Sequence, residues 1–273
     1  MRDVILDVHP SSPPAANLVA AAYDSIAADY DSQVQGDDWM RRILWANVLA
    51  VFEPGDHILD VTCGTGTDAI FLAQHGMQVT ALDISPGMAQ MLRHKAARAG
   101  VGERVRALVG DAAALAIRAD ARFDGVVSTF AGLNTLPDLA AFACAAARLL
   151  RPGGHLIVHM LSRRSAWEWL ALAARGRWRA ARTLGSQSRR VYTIGGQPVP
   201  HFLYLPREAF GAYFARHFRL QRAYSLGALR PPHTLHGLPP PIPQALGALE
   251  RPFAAHPPLL DRGRFFVLDM VRR

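Results

Sequence analysis

Cysteine, lysine and long apolar runs are all scarce in this chain of 273 residues. The two cysteines, Cys63 and Cys144, lie far apart and in no CxxC or Cys/His spacing, so neither a disulfide framework nor a zinc site is predicted. No apolar run reaches the ~18 residues of a membrane span, and Asp3 and Asp7 interrupt the N-terminal residues where a secretory signal would be apolar. We therefore expect a cytoplasmic protein with reduced thiols and no metal.

Positive charge comes almost entirely from arginine, since Lys95 is the only lysine. The two halves of the chain differ in sign. Residues 1–150 hold 11 Lys+Arg against 17 Asp+Glu, net −6, whereas residues 151–273 hold 19 against 5, net +14. Such an imbalance favours a second half that faces an anionic substrate, a nucleic acid or an anionic surface. Arginines on ordinary solvated faces are the alternative.

The middle of the chain alternates short apolar runs with amphipathic helical patterns. Residues 1–16 are rich in Pro and Ser and indicate a flexible arm, while residues 17–273 are predicted to form a single domain. Five strand-like runs, HILDV, MQVTALD, RVRALVGD, FDGVVSTF and HLIVHML, are separated by predicted helices at about 67–74, 86–98 and 138–150 and by a short alanine-rich helix. This order predicts a doubly wound, Rossmann-like α/β fold with parallel strands and right-handed crossovers.

The second half is predicted to close and cover this sheet of about seven strands. RVYTIGGQPVPHFLYL reads as a hairpin around GGQP, and FRLQRAYSL and RFFVLDMVRR read as the last two strands, an antiparallel closing pair. Residues 162–190 hold eight arginines, and Trp167 makes this segment a candidate substrate cover; a solvated helix with its tryptophans packed inward is the alternative. The proline-rich residues 229–262 are predicted to form an irregular loop near the site.

Acidic residues and glycines gather where the predicted strands end. In ILDVTCGTGTD, Asp60 ends the first strand and Gly64 and Gly66 follow, so a ligand can lie against the backbone before the next helix begins. Asp83 ends the second strand, where a carboxylate is placed to accept hydrogen bonds from two ribose hydroxyls. Asp111 ends the third, where it suits the exocyclic amine of adenine. Helix caps are the alternative for Asp83 and Asp111.

Five segments in order, ILDVTCGTGTD, VTALDISPGMAQMLRHKA, VGDAAAL, FDGVVSTF and LLRPGGHLIV, resemble the motifs of class I S-adenosylmethionine-dependent methyltransferases. The resemblance covers about residues 18–161. Within the predicted domain, residues 50–161 form the cofactor-binding core, and residues 162–205 with the loop at 229–262 form the substrate cover. It implies S-adenosylmethionine as the cofactor and S-adenosylhomocysteine as the product. The residues that it implies around the cofactor are Tyr23, Tyr30, Asp60, Cys63, Gly64, Gly66, Asp83, Ile84, Met88, Gly110, Asp111, Ala112 and Phe130.

Thr62 departs from the family pattern, which commonly has glycine at this position. A β-branched residue narrows the space beside the methionine moiety and resists positive φ. We expect the cofactor still to bind, because threonine is tolerated here if the backbone stays in an extended conformation.

The sequence does not identify the methyl acceptor. A small-molecule acceptor, anionic or aromatic, is the leading hypothesis. RNA or another polyanion is an alternative, although STFAGLN after the fourth strand lacks the Asn/Asp-Pro-Pro-aromatic motif of many base-methylating members. A noncatalytic S-adenosylmethionine-binding protein is another alternative. Asn134 and His201 are candidates for contacting the acceptor, and His159 and His201 are weak candidates for a general base; a satisfied core histidine and a turn asparagine are the alternatives.

Overall fold

The structure is a computed structural model that describes residues 6–8, 14–117, 122–233, 235, 238–239 and 241–273. The helices, in chain order, are α1 (Pro14–Asp24), α2 (Tyr30–Val34), α3 (Asp38–Leu49), α4 (Thr67–Gln74), α5 (Pro86–Arg98), α6 (Leu139–Leu149), α7 (Ala166–Ala174), α8 (Trp178–Thr183), α9 (Pro206–Ala209) and α10 (Pro241–Glu250). The strands are β1 (Leu6–Val8), β2 (His57–Val61), β3 (Gln78–Asp83), β4 (Val105–Val109), β5 (Leu115–Ile117), β6 (Phe123–Ser128), β7 (Leu150–Leu161), β8 (Arg189–Ile194), β9 (Gln197–Phe202), β10 (Phe218–Leu226) and β11 (Phe265–Arg272).

A seven-stranded sheet in the order β10-β11-β7-β6-β2-β3-β4 forms the centre of the molecule. Only β11 runs antiparallel to its neighbours, β7 and β10, which confirms the predicted Rossmann-like fold and its closing strand. β2 and β3 are buried on both faces, as expected where helices cover a parallel sheet. The chain moves outward from β2 through β3 to β4 and then returns to place β6 on the other side of β2. Ligands bind doubly wound sheets at this reversal of strand order.

The helices beside this reversal start where the sequence provides caps. Ser85 accepts a hydrogen bond from the backbone N–H of Met88 at 3.0 Å, and Pro86 occupies the first turn of α5. Asp138 caps α6 through the N–H of Ala141 at 2.8 Å. The bounds of α4 and α5 equal the predicted ones, and the β8–β9 hairpin turns at Gly195–Gly196 as predicted.

The predicted irregular loop at residues 229–262 is wrong in part, because it contains α10. Prolines are tolerated in a first helical turn, so Pro241 and Pro243 start this helix instead of breaking it. Glu250 at its end is buried and accepts hydrogen bonds from the backbone N–H groups of Ala228, Leu229 and Arg230 at 2.9–3.1 Å. These contacts fix α10 to the loop that follows β10.

The N-terminal region also differs from the prediction of a flexible arm followed by one helical segment. The helical pattern beginning near Asn17 is split into α1 and α2 by turns between them. Of the predicted arm, Leu6–Val8 pair with β5, while residues 1–5 and 9–13 lie outside the described residues. Within the described chain, no helix is long and apolar enough to cross a bilayer.

Candidate functional site

A cleft lies at the carboxyl ends of β2, β3 and β6, under α1 and α2. Its walls include seven residues that the resemblance implies around the cofactor, namely Tyr23, Tyr30, Cys63, Gly64, Asp83, Ile84 and Phe130. They come from four separate parts of the sequence. The fold of the sheet therefore brings these seven residues, which are distant in the sequence, to one cleft.

Asp83 is the most informative side chain of the cleft. Its Oδ2 accepts a hydrogen bond from the Gly64 N–H at 2.8 Å, and its Oδ1 accepts one from the Ser85 N–H at 2.9 Å. The alternative that Asp83 caps the following helix is wrong, because Ser85 is the cap. Burial raises the pKa of Asp83 to about 6, against the lowering effect of the two N–H groups. Asp83 is thus mainly ionised at neutral pH, with lone pairs left to accept hydroxyl donors.

The turn after β2 brings its backbone against the cleft. Gly64 and Gly66 have φ of +54° and +77°, in the left-handed region that glycine adopts at low cost. A Cβ on Gly64 would lie 3.5 Å from Cε1 of Tyr30, and a Cβ on Gly66 would overlap Leu92. Both glycines are therefore favoured by conformation, and Gly66 is also required by packing.

The expected extended backbone at Thr62 is wrong, since its φ is +59°. The chain leaves β2 by a left-handed turn, a conformation that favours glycine. A left-handed conformation in a β-branched residue costs about 1–3 kcal/mol. The Thr62 hydroxyl offsets part of this by pairing with Ser128 Oγ at 2.8 Å.

Thr62 also explains why residue 132 is glycine. A Cβ on Gly132 would overlap Cβ and Oγ1 of Thr62, and the Thr62 Cβ, which is fixed to the backbone, cannot rotate away. Gly132→Ala is therefore expected to destabilise the protein by about 1–3 kcal/mol, as overpacking does. In a Thr62→Gly background most of this loss should vanish. Urea unfolding of both single variants and the double variant measures the coupling, and additive losses would contradict this packing.

Asp60 is fully buried beneath the glycine turn. Neither of its carboxyl oxygens has a hydrogen-bond partner among the described residues. Burial, with a smaller contribution from Asp68, raises its pKa well above the ordinary value, while Arg41 opposes the shift. A buried carboxyl group without partners is unusual, because most buried polar groups are satisfied. The carboxyl group of Asp60 therefore has both oxygens left to accept hydrogen bonds from a donor group of a ligand.

Arg41 and Asp68 also line the cleft, although no sequence pattern singled them out. Asp68 accepts hydrogen bonds from Arg41 at 2.6 Å, Trp45 Nε1 at 2.7 Å and Thr129 Oγ1 at 2.6 Å. The Arg41 guanidinium lies 4.1 Å from the centroid of the Phe130 ring. The sequence signal was weak, since Arg41 belongs to an amphipathic helix whose orientation depends on tertiary contacts.

The segment that contains α1 and α2 covers the cleft. Tyr23 and Tyr30 meet edge to face with centroids 6.3 Å apart, and burial raises both phenol pKa values, that of Tyr30 to about 12. Asp24 accepts from the Gly87 N–H at 2.7 Å, and Asp31 pairs with Lys95 at 2.6 Å. The space left is about 60 Å³, far below the ~300 Å³ of small ligand sites. A nucleoside-sized ligand therefore requires this segment to move outward.

The other implied cofactor residues lie beside the cleft. Met88 is buried in α5, and the Gly110 N–H donates to the Asp83 carbonyl at 2.8 Å, which joins the end of β4 to β3. Asp111 caps the turn that follows through the Ala113 N–H at 2.8 Å, and Ala112 is buried. The capping alternative is thus confirmed for Asp111. A role for Asp111 and Ala112 in holding adenine stays a prediction.

His159 is placed to orient a turn. Its Nδ1 accepts from the Phe130 N–H at 3.2 Å, so its proton is on Nε2, which has no partner among the described residues. Burial lowers its pKa to about 3. Neither ring nitrogen has a free lone pair, so this geometry does not suit a general base. His159 instead supports Phe130 and Ala131, which both have positive φ.

Asn134 and His201 serve local structure. Asn134 is completely buried; its Oδ1 accepts from the Leu161 N–H at 2.9 Å and its Nδ2 donates to the Phe202 carbonyl at 2.5 Å. Its amide therefore joins β7 to β9 and has no free group for an acceptor. His201 lies in the β8–β9 hairpin, where Nδ1 contacts the Val199 carbonyl at 3.2 Å and the ring meets Tyr192. It lines neither the cleft nor its rim.

A doubly wound sheet with a glycine turn, and with an acidic residue at the tip of the next strand, is typical of nucleoside-binding α/β proteins. Comparison with known proteins narrows this class. Residues 58–154 match the sequence model of a family described as a methyltransferase domain. A demethylmenaquinone methyltransferase of Symbiobacterium thermophilum is 33% identical over 158 residues, 54% of this chain and 61% of that protein. The chain thus spans less than two thirds of the length of this relative.

Solved structures share the fold. The cyclase SpnF superposes with a TM-score of 0.64 at 17% identity, over 95% of this chain and 97% of that one. DhpI, in a complex with SAH, superposes with a TM-score of 0.61 at 16% identity, over 95% and 98%. Residues 58–154 are thus similar to a methyltransferase domain, and these solved structures share the fold of the chain.

Proposed function

We propose that this chain binds S-adenosylmethionine in the cleft and transfers its methyl group to a small-molecule acceptor. The observation that carries the proposal is Asp83, held at the tip of β3 by the N–H groups of Gly64 and Ser85. Its remaining lone pairs suit the two hydroxyls of a ribose. The other carboxylate of the cleft, Asp68, already accepts hydrogen bonds from three donors, so Asp83 is the one with lone pairs left for a ligand.

The neighbouring residues fit the rest of the cofactor. Gly64 leaves room for a ligand against the backbone, and Ile84 follows Asp83 as an apolar contact. The orphaned carboxyl group of Asp60 suits an ammonium group, whose charge would lower the pKa that burial raises. Tyr23 and Tyr30 would close over the bound ligand.

S-adenosylmethionine supplies, when bound, an electrophilic methyl group on a sulfonium. The protein then has to align the acceptor with the methyl group and exclude water, which can contribute roughly 7–11 kcal/mol in favourable cases. Tyr23 and Tyr30 shield the cleft, and the turn at Phe130 and Ala131 is held in position by His159. An acceptor that loses a proton would release it to a base or to solvent.

A small-molecule acceptor is favoured by two observations. The loop after β6 forms a tight 3₁₀ turn, Gly132–Thr135, and lacks the motif with which base-methylating members hold a flipped base. The relative from Symbiobacterium thermophilum is itself named for a small-molecule acceptor, demethylmenaquinone. We extend to this chain only the class of acceptor.

Titration calorimetry with S-adenosylhomocysteine tests the first half of the proposal. We expect one site per chain with a dissociation constant in the micromolar range, and no heat with NADH. Micromolar binding of NADH instead would point to an oxidoreductase. Absence of binding to the folded protein would remove the proposed function.

The pH dependence of this binding follows from Asp83. With a pKa of about 6, Asp83 is ionised above pH 6 and accepts hydroxyl donors fully. Below pH 6 the affinity is expected to fall, approaching tenfold per pH unit. The free energy of unfolding without ligand should change in the opposite direction. The pKa of an aspartate in the unfolded chain is about 3.9, so the native state holds the proton more tightly. The protein therefore gains stability as the pH falls from 6 towards 4. Affinity that is flat between pH 5 and 8 would contradict this assignment.

Polyanion methylation is the second candidate, because one surface favours it. Arginines on and beside α7 and α8 are exposed, and Trp178, which lies among them in the sequence, is 56% exposed. Exposed arginines with an aromatic residue among them are typical of protein surfaces that bind nucleic acid. RNA binding that weakens steeply with salt would support this candidate. A noncatalytic binding protein remains the third, since the fold alone does not determine the reaction.

A further inference from the structure

A second cavity, which we call the α7 cavity, lies between α7, the strand β8 and the loop after β10. Its volume is about 700 Å³, within the ~300–1,000 Å³ typical of small-molecule sites. It is more than ten times the space that the covered cleft retains. The molecule thus has a preformed site of ligand size outside the cofactor cleft.

The apolar face of α7 forms one wall of this cavity. Trp167, Leu170, Ala171 and Ala174 recur at helical spacing and all line it. Within α7, Ala173 alone is buried by the protein, so the apolar face is directed to the cavity and not to the core. Trp167 Nε1 donates to the Leu229 carbonyl at 3.2 Å, which fixes this wall to the loop after β10.

The charge of the lining is strongly positive. Four arginines and one carboxylate, Glu168, line the cavity. Arg190 is paired with Glu168 at 2.7 Å, and Arg264 with Asp37 at 3.0 Å. Arg175 and Arg230 have no ion pair with any residue that the structure describes; the Arg230 guanidinium lies 4.5 Å from the Trp39 ring centroid. Two cations are thus available to an anionic ligand.

Burial differs between the two ends of the cavity. Met40, Ser162 and Ser165 are buried, whereas Val191 and Leu235 are 60% and 46% exposed. Arg175 is also exposed, so a cation is present at the mouth.

A series of three aromatic rings, those of Phe265, His159 and Phe130, links the buried end to the cleft. Met40 precedes Arg41 of the cleft, and Arg264 precedes Phe265. The Phe265 ring contacts His159 with centroids 4.6 Å apart, and His159 contacts Phe130 with centroids 5.3 Å apart. An acceptor that enters the α7 cavity would therefore carry its inner end towards the methyl group.

We propose that the α7 cavity is the acceptor site and that the acceptor is an anionic amphiphile. Its apolar body lies against the face of α7, its carboxylate or phosphate pairs with Arg175 and Arg230, and its methyl-accepting end points to Met40. This inference rests on the proposed function, because methyl transfer is what makes the ligand an acceptor. A charged group near the mouth keeps most of its hydration while the apolar body is removed from water.

Three probes of equal chain length test the charge preference. Decanoate, decanol and decyltrimethylammonium are titrated below their micelle concentrations into the full chain saturated with S-adenosylhomocysteine, and the fluorescence of the tryptophans is followed. We expect decanoate to bind at least tenfold more tightly than the other two. Equal affinities, or preference for the cation, would overturn the proposal.

Variants locate the site. Arg175→Gln and Arg230→Gln should each weaken decanoate about 3- to 10-fold and leave decanol unchanged, as the loss of a partly exposed ion pair does. Ala171→Trp should fill the cavity and weaken all three probes. Arg98→Gln, an exposed arginine at the end of α5, is the matched control and should change nothing. Unchanged decanoate affinity in both cavity-arginine variants, or in Ala171→Trp, would overturn the assignment.

Calorimetry with S-adenosylhomocysteine on the same samples separates this inference from the proposed function. Binding of S-adenosylhomocysteine without selective decanoate binding overturns the acceptor site alone. Selective decanoate binding by a chain that does not bind S-adenosylhomocysteine removes the proposed function, and with it the acceptor role of the cavity.

Discussion

Asp83→Asn is expected to weaken the binding of S-adenosylhomocysteine by about 100-fold or more. The substitution is nearly isosteric, but it removes the charge and replaces one acceptor oxygen with a donor. Hydrogen bonds to a charged group contribute roughly 1.5–3 kcal/mol each, and a loss of about 2.7 kcal/mol corresponds to 100-fold in affinity. Titration calorimetry measures the change directly.

The control for this variant is Glu103→Gln, which removes the same charge from an exposed turn before β4. It should bind like the wild type. Asp83→Asn should stay folded at neutral pH, because ionising Asp83 in its buried position carries its own cost. A folded Asp83→Asn that binds within threefold of the wild type would contradict the role of Asp83.

Gly66→Ala is expected to cost about 2–5 kcal/mol of the free energy of unfolding. A left-handed conformation costs an L residue about 1–2 kcal/mol, and the added Cβ would overlap Leu92, for which overpacking adds about 1–3 kcal/mol. Leu92 is itself fully buried, so its side chain has little room to turn aside. Urea unfolding followed by circular dichroism measures the loss.

Gly153→Ala separates the two contributions. Gly153 has the same φ as Gly66, +77°, but a Cβ there meets no atom within 4 Å. It should therefore lose only the conformational contribution of about 1–2 kcal/mol. Equal losses at the two positions would show that Leu92 does not restrict the glycine turn.

The sequence is informative about the sheet and the strand ends because both depend on local pattern. Parallel strands buried on both faces give continuous apolar runs, and Asp60 and Asp83 follow such runs directly. The glycines of the turn are favoured by its left-handed backbone conformation, and glycine after a strand is a pattern that a single sequence shows. The order of strands follows from handed crossovers.

What the sequence could not give depends on contacts between distant residues. Arg41 approaches the cleft only because α3 packs with one face towards Asp68. α10 is fixed by Glu250, whose partners are about twenty residues away in the chain. The conformation of Thr62 was also misjudged, because the preference of a β-branched residue gives way to the turn that the sheet and α4 require.

The role of the second half was likewise ambiguous before the structure. Its tryptophans and arginines were compatible with a substrate cover or with a solvated helix. In the structure Trp167 lines the α7 cavity, whereas Trp178 is exposed and does not pack inward as the alternative required. Helical periodicity identifies a face but not the surface that it meets.

Methyl transfer itself is tested most directly with S-adenosylmethionine that carries a carbon-13 methyl group. The protein is incubated with the labelled cofactor and a small-molecule extract, and labelled products are identified by mass spectrometry beside the Asp83→Asn variant. We expect a labelled small molecule, bearing an anionic group, in the wild-type reaction only. Tight binding of the cofactor without any labelled small molecule, or label found only in added RNA, would contradict it.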